Sequence, residues 1–457
     1  MHQYVHPASS DRPLSLFSLE GATRLDRAGT TALLLLLLVG VAGGTLRAQQ
    51  SFTEYTPRYR TTLDYRSVET EHFTFFFPAG TDTTTVLFRD ALTRTFDDTR
   101  SIVGIDAADF QLPVVVDPRS GSANGFVRPD NFRTNLFTVH PTGDFGAQFD
   151  TWAQAVAPHE LTHAMHFDTD SGVGVGGLVD LFSSDFSRIL YGLEPLGWAE
   201  GIAVYRESQL SPDAGRLNAP IATMRYRAAV GSDDPWSLGE LLYYGRFERP
   251  TDRDDIGSGQ LSEYLANQEG DTDFFHRTNR WFHRLPFLGF GAALWIGTGS
   301  LPHQLSDSFL TAERRTEQKR LDVLTGVTDA RVVAGTDGLH LRRPRWLSDS
   351  TLVAYGSGYS TRPGFYQIDA ESGHFESIRH ERITRGYTYS LGPDTTALFF
   401  SRPHTAPLIK QKTTQRTHRL DLRSEEVRSV SGADEVFAPA KAPGGPVYAV
   451  QQDGSVR

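Results

Sequence analysis

The sequence predicts an α+β domain, a mixed sheet joined to a helical half, followed by an all-β segment with the rhythm of an incomplete β-propeller. Three observations predict it. Strand-like and helix-like stretches follow one another in the order β-α-β-β-α between Thr70 and Met165. From Leu196 to Lys319 the apolar residues recur at helical spacing. After about Asp322 that spacing gives way to short alternating strands, with a turn that recurs about every 44 residues, the length of one four-stranded blade.

Thr70–Phe77 (TEHFTFFF) reads as a strand ended by Pro78 and Gly80. Thr83–Val103 reads as a helix, with Val86, Leu87, Ala91, Leu92, Phe96 and Ile102 on one face. Phe110–Val116 is a second strand, and Asn135–His140 a third, edge-like one. A helix capped by Asp150 runs to Met165, and Pro158 starts or kinks it because proline lacks a backbone donor. Gly172–Gly177 lacks the spacing of a phosphate cradle and reads as linker. Helices follow over Leu196–Gln209, Leu238–Tyr244, Gln260–Asn267, Phe274–His283 and Leu305–Lys319. In the β segment, turns at Pro344–Asp349, Tyr389–Asp394 and Ala438–Pro443 each precede a strand. About three blades fit, where propellers need at least four, so the reading treats the sequence as a fragment.

Composition excludes several classes of function. The 457 residues carry a net charge of −10, with 39% hydrophobic and 22% charged residues, which gives no basis for binding nucleic acid or an anionic membrane. With no cysteine, disulfides, thiolate metal sites and cysteine nucleophiles are excluded, and any metal site must use His, Asp or Glu. There is no G-x-S-x-G nucleophile elbow. Arg24 and Arg27 precede an apolar run from Ala32 to Ala42, too short to span a bilayer comfortably, and Leu46-Arg47-Ala48 is an acceptable cleavage site before Gln49. The expected organisation is an export signal over 1–48, an α+β domain over 49–321 and a partial propeller over 322–457. The expected location is the periplasm, cell surface or medium of a bacterium, with no membrane span once the signal is removed.

The strongest chemical signal is His159-Glu160-Leu161-Thr162-His163. On a helix, residues four apart share a face, so two imidazoles can converge on one zinc ion. Glu160 then lies where it can take a proton from a water that zinc activates. A catalytic zinc needs a third protein ligand. Glu200, on the next helix in Gly197-Trp198-Ala199-Glu200-Gly201-Ile202-Ala203, is the best candidate, and its small neighbours would let that helix approach the first. His166 is a weaker candidate, since three ligands on one straight helix close poorly around an ion. Asp168, Asp170 and Glu207 are within reach to orient the histidines.

HELTH followed by WAEGIAVY resembles the gluzincin metallopeptidases, in particular the peptidase MA-like group of bacterial exported proteins. The resemblance covers about Tyr65 to Arg315. It implies a zincin-like fold whose edge strand, here Leu136–Val139, lies beside the cleft, with zinc held by His159, His163 and Glu200 and with Glu160 as base. Such enzymes also supply a group that stabilises the oxyanion; Tyr205, Tyr226, Tyr243, Tyr244, Tyr264 and His276 are candidates, with Tyr264 preferred. The β segment is similar to TolB-like propellers at Pro344–Asp349. The reading is therefore an exported zinc peptidase acting on a peptide or protein, with a propeller that could dock a protein partner. Two others stand beside it: cell-wall peptide as substrate, and a propeller-based binding or scaffold protein with an inactive zincin-like domain.

Overall fold

The computed structural model describes residues 64–451 apart from 107–108, 119–122, 142–148, 150, 170–171, 244–252, 325–332, 334–338, 359–360, 385, 407–408 and 431–435. The expected export signal, and Asp150, Asp170 and Tyr244, lie outside the described residues.

The first layer is a five-stranded sheet. Its strands are β1 (Tyr65–Glu69), β2 (Phe73–Pro78), β3 (Leu112–Asp117), β4 (Gly125–Arg128) and β5 (Arg133–Phe137), in the order β1-β2-β3-β5-β4. β2, β3 and β5 run parallel, and an antiparallel strand closes each edge. Alternation explains β2: Phe73, Phe75 and Phe77 are buried, while Thr74 and Phe76 point away from the core. Helix α1 (Asp82–Val103) covers the sheet with Phe88, Leu92 and Phe96 and stops at Gly104, which is left-handed. The third predicted strand is β5, but it is not an edge. All five of its residues are buried, because β4 pairs along its outer side. β4 went unread because four residues centred on Gly125-Phe126 are too few for alternation to register.

The helical half follows as α2 (Trp152–Phe167), α3 (Val175–Asp180), α4 (Ser184–Ile189), α5 (Leu196–Ser208), α6 (Pro220–Val230), α7 (Leu238–Leu242), α8 (Ser258–Glu269), α9 (Asp273–Arg284), α10 (Phe290–Thr298) and α11 (Pro302–Asp322). Thr151 caps α2, accepting from Gln154 N at 3.2 Å. Pro158 lies within the helix rather than starting it. The second half of the glycine run is not linker: it forms α3, and a Cβ on Gly176 would stand 2.2 Å from the His283 ring.

Helix α5 is gripped from two sides. Trp198, 1% exposed, stacks on Phe275 and donates to Asn279 Oδ1 at 2.6 Å on α9. Arg206 Nε donates to Thr99 Oγ1 at 3.0 Å on α1. Helix α5 packs against α2 as expected, and its small residues admit two further neighbours. Gly201 lies against α8 and Gly197 against α7, where a Cβ would meet Ser258 O at 2.6 Å and Leu241 O at 2.0 Å.

After α11, strands β6 (Leu339–Trp346), β7 (Thr351–Gly358), β8 (Gly364–Asp369) and β9 (Phe375–His380) form one antiparallel meander. Strands β10 (Tyr389–Leu391), β11 (Ala397–Ala406), β12 (Ile409–Asp421) and β13 (Val427–Ser429) form a second, and β14 (Val436–Lys441) and β15 (Val447–Gln451) a hairpin. Tyr355, Phe365, Tyr389 and Phe400 pack into one cluster, and the Tyr389 hydroxyl donates to Arg343 O and, at 3.2 Å, to Val353 O. The repeat also has a shared turn. Asp369 Oδ1 accepts from the backbone and hydroxyl of Ser372, and Asp421 Oδ1 does the same with Ser424. No helix among the described residues is long and apolar enough to cross a membrane.

Gly201→Ala tests the packing of α5 on α8. The added methyl cannot fit without backbone movement, so urea unfolding should show a loss of about 1–3 kcal/mol.

Candidate metal centre

Two helices build the site. Thr151 and the Trp152 indole, which donates to Phe137 O at 2.7 Å, fix the start of α2 against β5. About two and three turns further on, α2 presents His159 and His163, with their rings edge-on at 4.7 Å between centroids. α5 brings Glu200 opposite them. His159 Nε2 and His163 Nε2 are 3.1 Å apart, and Glu200 Oε2 lies 3.3 Å from the first and 3.5 Å from the second. These are the only described residues that form such a donor group.

The size of this triangle tests the fit to a metal. Zinc bonds of about 2.0–2.1 Å at tetrahedral angles separate ligand atoms by about 3.3 Å. The three observed edges bracket that value, and two imidazoles with one carboxylate are a catalytic zinc donor set. The residues fit.

Without a cation, the triangle holds a proton. Burial alone would lower the His159 imidazolium, but hydrogen bonds from Glu200 and Glu207 outweigh it and push the value up to about 10. Burial would raise Glu200, yet His163 and His159 hold it well below the usual carboxylate range. Glu160, 5% exposed, is different: burial raises it, and the nearby His159 and His163 offset only part of the rise. It sits beneath the edge strand. A Cβ on Gly125 would stand 2.7 Å from Glu160 Cγ and 2.8 Å from its Oε1, so β4 and the carboxylate share a boundary that only glycine permits.

Of the candidate orienting carboxylates, Glu207 reaches the site. Its Oε2 lies 3.2 Å from His159 Nδ1. A metal on Nε2 requires the proton on Nδ1, which then donates to Glu207. Burial would raise Glu207, but Arg216 and His159 hold it down at about 2. Asp168 instead binds Arg188 at 2.7 Å. His166 turns away from the triangle. Its Nε2 lies 2.8 Å from Glu194 Oε2, and its ring packs on Tyr191 and Phe275.

The oxyanion candidates are scattered. Tyr264 packs edge-on to Phe309, with no recorded contact to the triangle among the described residues. Tyr226 is buried and donates to Glu313 at 3.0 Å. His276 backs onto Gly104, and Tyr243 is exposed. The sequence reading missed Gly125, Arg216 and the π-helical turn Arg253–Gly257. Within that turn, burial and Asp255 raise Asp254 to about 7. No motif marks any of them; the Asp254-Asp255 pair is the one local signal.

Two outcomes follow. Since His159 carries a proton up to about pH 10, zinc must displace it, so affinity should rise by about tenfold per pH unit between pH 6 and 8. Calorimetry in buffers of different ionisation enthalpy would report about one proton released per zinc. Gly125→Ala should force β4 and Glu160 apart, read as a loss of about 1–3 kcal/mol in urea unfolding.

No family model matches the chain, and no curated protein matches it. Among solved structures, a crystal structure of TolB from Acinetobacter baumannii matches with 18% identity over 27% of this chain and 33% of that one, at a TM-score of 0.20. The match spans a third of that chain's length, and a likeness of this size carries no argument about fold or function.

Proposed function

We propose that the protein is an exported zinc-dependent peptidase with a zincin-like catalytic domain. The observation that carries the reading is the triangle of His159 Nε2, His163 Nε2 and Glu200 Oε2, matched in size to a zinc ion, with buried Glu160 beside it. Zinc bound there would supply a Lewis acid that polarises a carbonyl and activates water.

The chain's own residues do the rest. Glu160 takes the proton of the attacking water as general base and passes it to the leaving amine. Burial suits it to both steps, because a raised carboxylate holds a proton more readily than an exposed one. Among the described residues the outer edge of β4 faces no other strand, so its backbone can pair with an extended polypeptide. That geometry favours a peptide or protein substrate over a sugar or an ester. The antiparallel edge strand over the two-histidine helix, with the third donor on α5, supports the zincin-like reading. The two four-stranded meanders support a propeller-like C-terminal part, which could hold a protein partner.

Glu160→Gln should reduce peptide hydrolysis by about 10³-fold or more while one zinc per chain is retained. Glu200→Ala should lose most of its zinc. Full zinc in the latter, measured by elemental analysis of folded protein, would remove Glu200 from the ligand set. A wild type that takes up no zinc would overturn the reading. In the active enzyme, the raised Glu160 should place the acid limb of the pH profile above the ordinary glutamate range.

A further inference from the structure

The chain between α5 and α6 folds back tightly on the end of α5. Gly215 has φ +85°, and a Cβ there would stand 2.4 Å from Ser208 Cα, so the return path needs glycine on both counts. Asn218 Nδ2 donates to three carbonyls of the loop, those of Ser208, Ser211 and Ala214, at 2.8, 3.1 and 2.7 Å. Leu217 N donates to Ser208 Oγ at 3.1 Å. Four polar bonds and a left-handed glycine therefore fix one residue, Arg216, at a defined place.

Arg216 spends that placement on Glu207. Its Nε and backbone N donate to Glu207 Oε1 at 2.7 and 3.1 Å, and its Nη2 donates to Oε2 at 3.1 Å. On the far side, Nη1 donates to Asp255 Oδ2 at 3.1 Å, which ties the guanidinium to the π-helical turn. Glu207 is 1% exposed. A carboxylate held by a planar fork and a backbone amide has one orientation left, and in it Oε2 meets His159 Nδ1. Arg216 Nη2 itself approaches that nitrogen at 3.0 Å. Since the guanidinium can only donate and Glu207 can only accept, Nδ1 serves one of them at a time, and with the metal-binding tautomer it serves Glu207.

We infer that Arg216 is a positioning residue of the metal centre: it locks Glu207, and through Glu207 it fixes the ring orientation and tautomer of His159. The inference rests on the zinc reading above. Its chemical content is the fork. A lysine would keep the charge beside Glu207 but offers no planar pair of donors.

The test is zinc affinity of the full chain by chelator competition, for wild type, Arg216→Lys and Gly215→Ala. The visible spectrum of the cobalt-substituted protein and the melting temperature of the metal-free protein are read alongside. The expected result for Arg216→Lys is zinc binding weaker by about 10–100-fold and a shifted cobalt spectrum, in a protein that still melts cooperatively. A folded Arg216→Lys with wild-type zinc affinity and an unchanged cobalt spectrum would overturn the inference, reduce Arg216 to a structural ion pair, and leave the proposed function standing. If Arg216→Lys does not fold, Gly215→Ala decides by the same readings, since it keeps both charges and moves only the loop. A wild type that binds no zinc overturns this inference and the proposed function together.

Discussion

Three donor atoms with lone pairs facing one another, none more than 3.5 Å from the next, need positive charge among them. That requirement governs the rest of the site. It demands that α2 and α5, whose donors lie apart in the chain, be held to within a fraction of an ångström. Side chains far from the triangle do the holding. Trp152 pins α2 to the sheet, and Trp198 and Arg206 pin α5 to α9 and α1. The glycines of α5 then let it sink against α7 and α8. Each anchor pairs a donor with an acceptor away from solvent, which leaves few alternative packings.

The segment between the two ligand helices shows the same economy. It departs from α2 at Asp168 and returns before Leu196, and its ends are tied by the Arg188–Asp168 ion pair and by Tyr191, whose hydroxyl donates to Thr169 O. Between the ties, Leu181 and Phe182 project into solvent. Anchored at its base, the excursion can carry an apolar surface without loading the ligands.

Much of the candidate site was legible in the sequence because its donors follow helical spacing, and period is what sequence displays best. His159 and His163 declare themselves four residues apart, and Glu200 stands in a run of small and apolar residues typical of a buried helix. Glu207 was one of three possible orienting carboxylates, and only the fold separates them. What stayed hidden depends on contacts between distant segments. Gly125 matters because of Glu160, 35 residues on, and nothing near it in sequence shows this. Arg216 sits in a loop with no period at all. The strand order failed for a related reason: β5 read as an edge because its outer partner is four residues long. The helices α3 and α4 were missed where glycine and serine masked short turns that tertiary packing stabilises.

The clamp on His159 has one more consequence. Glu207 stays ionised down to about pH 2, and Arg216 stays charged far into the alkaline range. The pair that holds the His159 ring therefore keeps its charges across the ordinary pH range. Burial instead raises Glu160 above the ordinary glutamate value. Falling pH therefore acts on the site through protons on Glu160 and His159, while the Arg216–Glu207 pair keeps its charges.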